Sequence, residues 1–133
     1  MLFRRGLLVL AGLAVLIPLH AAAQDSGQKL YLKYCSACHG PTGKGDGVVS
    51  SMMDPKPTNL TLMARRAEGK FPFQEALRAI DGRQTVRAHG DPDMPVWGDI
   101  FKGDESDPAK GEAVAKGRAA MITEYLSTIQ DWK

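Results

Sequence analysis

Apolar positions recur along this chain with a helical period. Leu30, Tyr31 and Tyr34 fall on one face of a segment that Asp25 or Ser26 is placed to cap. Phe73, Ala76, Leu77 and Ile80 do the same between Pro72 and Asp81, and Gly82 suits a C-terminal cap. Ala119, Ile122, Tyr125, Leu126 and Ile129 mark the clearest helix, Arg118 to Gln130. No stretch alternates well enough to read as a strand. Between these segments the pattern fades. Gly43, Gly45 and Gly47 predict a tight-turning loop, and Pro55 and Pro57 an extended one. Asn59-Leu60-Thr61 opens a short helical turn through Arg66. Gly90 to Pro95 is too interrupted for a regular element. Lys102 to Gly117 reads as a polar, Gly-containing stretch with a short helix near Glu112 to Lys116. The expectation is an all-α fold of three to five short helices and long loops, without internal repeats.

One apolar run has no period. Gly6 to Leu19 carries no charge, follows Arg4 and Arg5, and leads into Ala21-Ala22-Ala23. Charge, apolar run and A-x-A in that order form a secretory signal peptide. Residues 1–23 are therefore expected to be removed between Ala23 and Gln24, leaving a single domain, 24–133, in the periplasm. The alternative, an uncleaved membrane anchor, is disfavoured because the run is shorter than the ~20 residues that span a bilayer. No cysteine follows the cleavage site to take a lipid anchor. The formal charge of +2 resides in Arg4 and Arg5; without them 15 basic residues face 15 acidic ones. That balance argues against nucleic acid as a partner. It also conceals an asymmetry. Lys56 to Arg87 carries seven basic residues against three acidic, and Asp91 to Glu112 carries seven acidic against two basic. The pattern suits either a solvated surface or a docking surface for a charged partner.

A domain of 110 residues with a few short helices makes a small core, and such domains often need a staple. The chemistry that could supply one is Cys35-Ser36-Ala37-Cys38-His39-Gly40, which holds the only two cysteines. A disulfide across so short a loop stabilises little. A thioredoxin-like redox pair requires a βαβ setting, and structural zinc requires further ligands; this sequence offers neither. C-x-x-C-H is the covalent haem-attachment motif. Its two thiols form thioethers with the haem vinyl groups, and the adjacent histidine becomes an axial iron ligand.

The second axial position has few candidates. Beyond residue 23 the histidines are His39 and His89, and the methionines are Met52, Met53, Met63, Met94 and Met121. Met121 sits in the last helical pattern and reads as core. Met52, Met53 and Met63 read as core or exposed loop. Met94 lies 55 residues beyond His39 in an irregular loop, stiffened by Pro95, that projects its thioether. Met94 is therefore the expected ligand, with His89 or an open position as alternatives. Thioether ligation raises the reduction potential relative to bis-histidine ligation. With both positions filled no substrate site remains, and the chemistry is outer-sphere transfer of one electron.

The sequence resembles class I (mitochondrial-like) bacterial monohaem cytochrome c over nearly all of residues 24–133. Gly27 and Tyr31 match the glycine and aromatic of that family's first helix, and Cys35 to Gly40 its attachment site. Pro55-Lys56-Pro57-Thr58-Asn59-Leu60-Thr61 resembles the proline segment whose carbonyl accepts a hydrogen bond from the proximal histidine, at Pro55 or Pro57. Met94-Pro95-Val96-Trp97-Gly98 resembles the methionine loop, and Tyr125-Leu126 the final helix that crosses the first near Gly27. The resemblance implies a class I fold wrapped around one covalent haem c, with Cys35, Cys38, His39, Met94, Pro57 and Trp97 at the cofactor. Tyr31, Tyr34, Phe73, Trp97 and Tyr125 read as pocket and helix-crossing residues. Trp97 is also a candidate hydrogen-bond donor to a haem propionate, as are Arg83 and Arg87. The resemblance departs at Lys102 to Gly117, a stretch longer than in minimal members.

The resulting expectation is a monomeric electron carrier rather than an enzyme. It would dock transiently, through charge, with a membrane oxidase or reductase or a periplasmic dehydrogenase. The competing expectations are a haem c subunit held in a larger oxidoreductase, a haem enzyme or sensor with an open distal side, and a non-haem redox or zinc protein.

Overall fold

A computed structural model describes residues 19–82 and 97–132 of the protein, and its side chains over 26–82 and 100–132. Among the described residues there are six helices and no strand, so the fold is all-α. They are α1 (Leu19–Tyr34), α2 (Ser36–His39), α3 (Met63–Arg66), α4 (Phe73–Asp81), α5 (Trp97–Lys102) and α6 (Pro108–Thr128). Two 3₁₀ turns, Ser50–Met52 and Leu60–Leu62, punctuate the connection between α2 and α3. No helix among the described residues is long and apolar enough to cross a membrane.

α1 and α6 cross at Gly27. A Cβ built there would overlap the Met121 carbonyl and touch Tyr125 Cβ at 3.0 Å, so only glycine lets the two backbones approach this closely. One turn on, Tyr31 is fully buried and its ring meets Tyr125 at a centroid distance of 5.3 Å, tilted by 46°. The crossing anticipated from Gly27 and Tyr125 is thus present. The first helix does not start at an Asp25 or Ser26 cap, however. Both residues lie inside α1, which runs back through Ala21, Ala22 and Ala23, all strong helix formers.

α6 is the largest departure from the sequence reading. A short helix near residues 112–116 and a separate one from 118 to 130 are in fact one helix of 21 residues. Its start is set by Asp107, whose carboxylate accepts from Ala109 N at 2.9 Å and Lys110 N at 3.4 Å, with Pro108 in the first turn. Gly111 and Gly117 do not break it. Gly111 is buried where Lys102, at the end of α5, lies 3.5 Å from the Cβ position, and Ala115 and Ala119 continue that face fully buried. A row of glycine and alanine carries little hydropathy, so the sequence pattern missed a packing face that small residues create.

α5 is a second departure, since no helix was expected after Pro95. It buries Phe101 completely, which contributes about 1.5–3 kcal/mol. Tyr34 meets the Phe101 ring edge-on at 5.3 Å, and Arg118 donates to the Phe101 carbonyl at 2.8 Å. α4 fits its expectation. Ala76 is buried, Leu77 and Ile80 pack against the core, and Gly82 closes the helix at φ 69°. Asn59 caps the following turn by accepting from Thr61 N at 2.9 Å. Gly90 to Pro95 lies outside the described residues.

The helix crossing makes a direct prediction. Gly27→Val is expected to lower stability by about 1–3 kcal/mol or more through overpacking. Gly117→Ala, in α6 with open space at its Cβ position, is expected to raise it by about 0.5–1 kcal/mol. Chemical denaturation should therefore give midpoint shifts of opposite sign, and shifts of the same sign would contradict the packing described.

Candidate functional site

The cysteines and the histidine occupy one helical turn immediately after α1. Cys35 N donates to the Tyr31 carbonyl at 2.8 Å, and the Cys35 carbonyl accepts from Cys38 N at 3.2 Å and His39 N at 2.9 Å. Spacings of three and four residues put Cys38 and His39 on the same side of the turn as Cys35. Gly40 closes the turn at φ 78°, and Tyr31 from α1 donates its hydroxyl to the Gly40 carbonyl at 2.5 Å.

The carbonyl end of this turn is capped by the glycine loop. Gly45 N donates to the His39 carbonyl at 2.8 Å, Gly47 N to Cys38 at 3.1 Å and Val49 N to Ala37 at 3.1 Å. Three carbonyls that a four-residue helix would leave open are thereby satisfied. The loop's glycines are needed for closeness as well as for turning. A Cβ at Gly47 would overlap the Ala37 carbonyl, and one at Gly45, which sits at φ 80°, would overlap the Pro57 carbonyl.

His39 is oriented from the other side. Its Nδ1 lies 2.9 Å from the Thr58 carbonyl. A carbonyl only accepts, so Nδ1 carries the proton and the lone pair is left on Nε2. Burial pushes the His39 pKa below its ordinary value, with the Thr58 bond pulling the other way, so the ring is held neutral at neutral pH, as a metal ligand requires. The expected acceptor was Pro55 or Pro57. The structure assigns it to Thr58, because the Pro57 carbonyl is turned against Gly45. No side-chain signal marks Thr58, since a backbone carbonyl does the work. The available clue is Asn59, whose capping role keeps the chain extended just before the helical turn, at φ −68° and ψ 109°.

Cys35 and Cys38 are not joined to each other, and both are half-buried. Burial and the neighbouring Cys38 push the Cys35 pKa up to about 12, the mark of an apolar setting around its sulfur. Among the described residues no group of three or more His, Cys, Asp or Glu is placed to bind a metal ion by itself. Cys35 instead belongs to a set of half-covered apolar residues, with Tyr34, Met63, Phe71, Leu77 and Ile80, packed against the buried core. Part-covered apolar side chains packed with Cys35 against the core, and a second thiol and an oriented imidazole on the same turn as Cys35, fit a large flat apolar group with a metal at its centre. A recess of about 420 Å³ opens beside Phe71 and Phe73, but neither the cysteines nor His39 lines it.

The remaining sequence-derived residues divide as follows. Trp97 opens α5, and only its backbone is described. Met94, His89, Arg83 and Arg87 lie outside the described residues. Met52 and Met53 are exposed, while Met63 and Met121 are half-buried.

No curated protein and no solved structure is matched by the chain. One family is matched, described as cytochrome C oxidase, cbb3-type, subunit III, over residues 22–110 of 133. That span takes in the whole turn that carries Cys35, Cys38 and His39, the glycine loop, the Thr58 carbonyl and the start of α6. The chain belongs to this family of c-type cytochromes, and it is a haem c electron-transfer protein with the haem bound covalently.

Proposed function

We propose that this protein is a periplasmic one-electron carrier, exported by residues 1–23, with its haem iron ligated by His39 and Met94. The observation that carries the reading is the bond from His39 Nδ1 to the Thr58 carbonyl at 2.9 Å. It fixes the tautomer that leaves Nε2 free to ligate, and it makes the imidazole a stronger donor. When bound, haem c supplies reversible one-electron exchange between ferric and ferrous iron. Cys35 and Cys38 hold the group permanently, so exchange of partners never costs the cofactor. Tyr34, Met63, Phe71, Leu77 and Ile80 limit water around it. Met94 supplies the soft thioether that favours the ferrous state, and Trp97 is placed by α5 three residues later. With both axial positions occupied the protein has no substrate site.

Partner docking in this reading is transient, electrostatic and made by the monomer, with a membrane oxidase or reductase or a periplasmic dehydrogenase. Among the described residues of the acidic stretch, part of the charge is already engaged. Asp107 caps α6, and Glu112 pairs with Lys102 at 3.9 Å and Lys116 at 3.6 Å. The basic stretch of residues 56–87 and the acidic stretch of residues 91–112 are the two candidates for an oriented surface.

A second reading is favoured by the family description, which names a subunit of a cbb3-type oxidase. There the chain would be a constitutive haem c subunit of a larger oxidoreductase, with the same extracytoplasmic placement.

Two measurements test these readings. Met94→Ala is expected to convert the ferric protein from low spin to high spin and to abolish the long-wavelength sulfur-to-iron absorption, while His89→Ala leaves both unchanged. A Met94→Ala spectrum identical to the parent's would remove Met94 as ligand. On size exclusion of native periplasmic and detergent-solubilised fractions, a free carrier elutes as a single small domain from the periplasm. Haem staining of this chain only within a large membrane assembly would select the second reading.

A further inference from the structure

Gln130 lies just past α6 and is almost fully buried, at 7% exposure. Its side-chain oxygen accepts from Ala64 N at 2.9 Å, and its side-chain nitrogen donates to the carbonyls of Leu60 at 3.0 Å and Leu126 at 2.7 Å. Two of these three bonds reach across 66 and 70 residues of sequence, to the segment that immediately follows Thr58. The neighbouring Asp131 N donates to the Thr61 carbonyl at 2.8 Å.

The segment from 58 to 64 packs Leu60 into the core and buries Ala64 completely, but it makes few other hydrogen bonds. Leu60 N donates to the Gly43 carbonyl at 2.7 Å, Arg66 donates to the Asn59 carbonyl at 3.1 Å, and Asn59 caps its own turn. None of these hydrogen bonds reaches α1 or α6. Gln130 does, because the same amide also holds the last turn of α6 through Leu126. A buried primary amide with three satisfied bonds has one allowed position, and it transmits that position to whatever it holds.

We infer that Gln130 is a positioning residue for the proximal histidine: it fixes the Leu60–Ala64 turn so that the Thr58 carbonyl stays within hydrogen-bond reach of His39 Nδ1. This rests on His39 being an iron ligand. A shorter, better-held Nδ1–H···O bond gives the imidazole more anionic character and stabilises ferric iron, so Gln130 acts to lower the reduction potential. The effect comes from the far end of the chain and needs no contact between Gln130 and the haem.

The test uses the haem-loaded protein with isotope-labelled histidine. Gln130→Ala removes the amide, and Gln130→Met removes its hydrogen bonds while keeping most of its volume, so the turn remains packed. Thr123→Ala is the control. Thr123 is fully buried in α6, and its hydroxyl bonds only to Ala119 within the same helix. In both Gln130 variants the His39 Nδ1 proton should exchange with solvent at least tenfold faster, and the reduction potential should rise. In Thr123→Ala neither should change, although stability falls. Unchanged exchange and potential in both Gln130 variants would overturn the inference, as would equal changes in Thr123→Ala. The His39 ring resonances of the parent protein test the underlying reading separately. If they are not displaced by ferric iron, His39 is not a ligand, whatever the Gln130 variants do.

Discussion

The contact between the backbones of α1 and α6 at Gly27 governs both halves of the His39 environment. α1 leads straight into the turn that carries Cys35, Cys38 and His39, and Tyr31, buried at the crossing, holds the end of that turn through the Gly40 carbonyl. α6 leads to Gln130 and Asp131, which hold the turn that follows Thr58. Thr58 and His39 are 19 residues apart, and each is tied to one member of the same helix pair. The close approach that Gly27 permits therefore brings together the two helices whose ends lead to the His39 turn and to Gln130. Cooperative dependence of this kind is how a small domain specifies a site with few buried groups.

The loop regions are ordered by backbone hydrogen bonds more than by apolar burial. The glycine loop places three N–H groups against three consecutive carbonyls of the attachment turn. Among the described residues no buried side-chain polar atom lacks a partner. The apolar residues Tyr34, Met63, Phe71, Leu77 and Ile80 are only part-covered by protein. Protein groups thus account for the polar side of the site, and a covalent haem held there would complete its apolar side.

Legibility from sequence followed the kind of signal each feature leaves. The Cys35 to Gly40 motif stands out, because two thiols and an imidazole at that spacing have few other uses. α4 was plain too, since Ala76, Leu77 and Ile80 carry hydropathy at helical period and Gly82 ends the helix. α6 was only half legible. Tyr125 and Leu126 announced its end, but Gly111, Ala115 and Ala119 pack through smallness, which hydropathy does not register. Phe101 and α5 were hidden by the prolines just before them. The Thr58 carbonyl and the Gln130 amide were the hardest to foresee. One is a backbone atom that any residue possesses, and the other is a polar residue that composition alone assigns to the surface.

The central claim is that Cys35 and Cys38 tether haem c beside an oriented His39. It is tested most directly by mass spectrometry of the exported protein after denaturation, extraction with acidified organic solvent and proteolysis. The peptide spanning Cys35 to His39 is predicted to carry the added mass of one haem, with neither thiol open to alkylation. A peptide of unmodified mass, with its thiols alkylatable or joined to each other, would contradict the account.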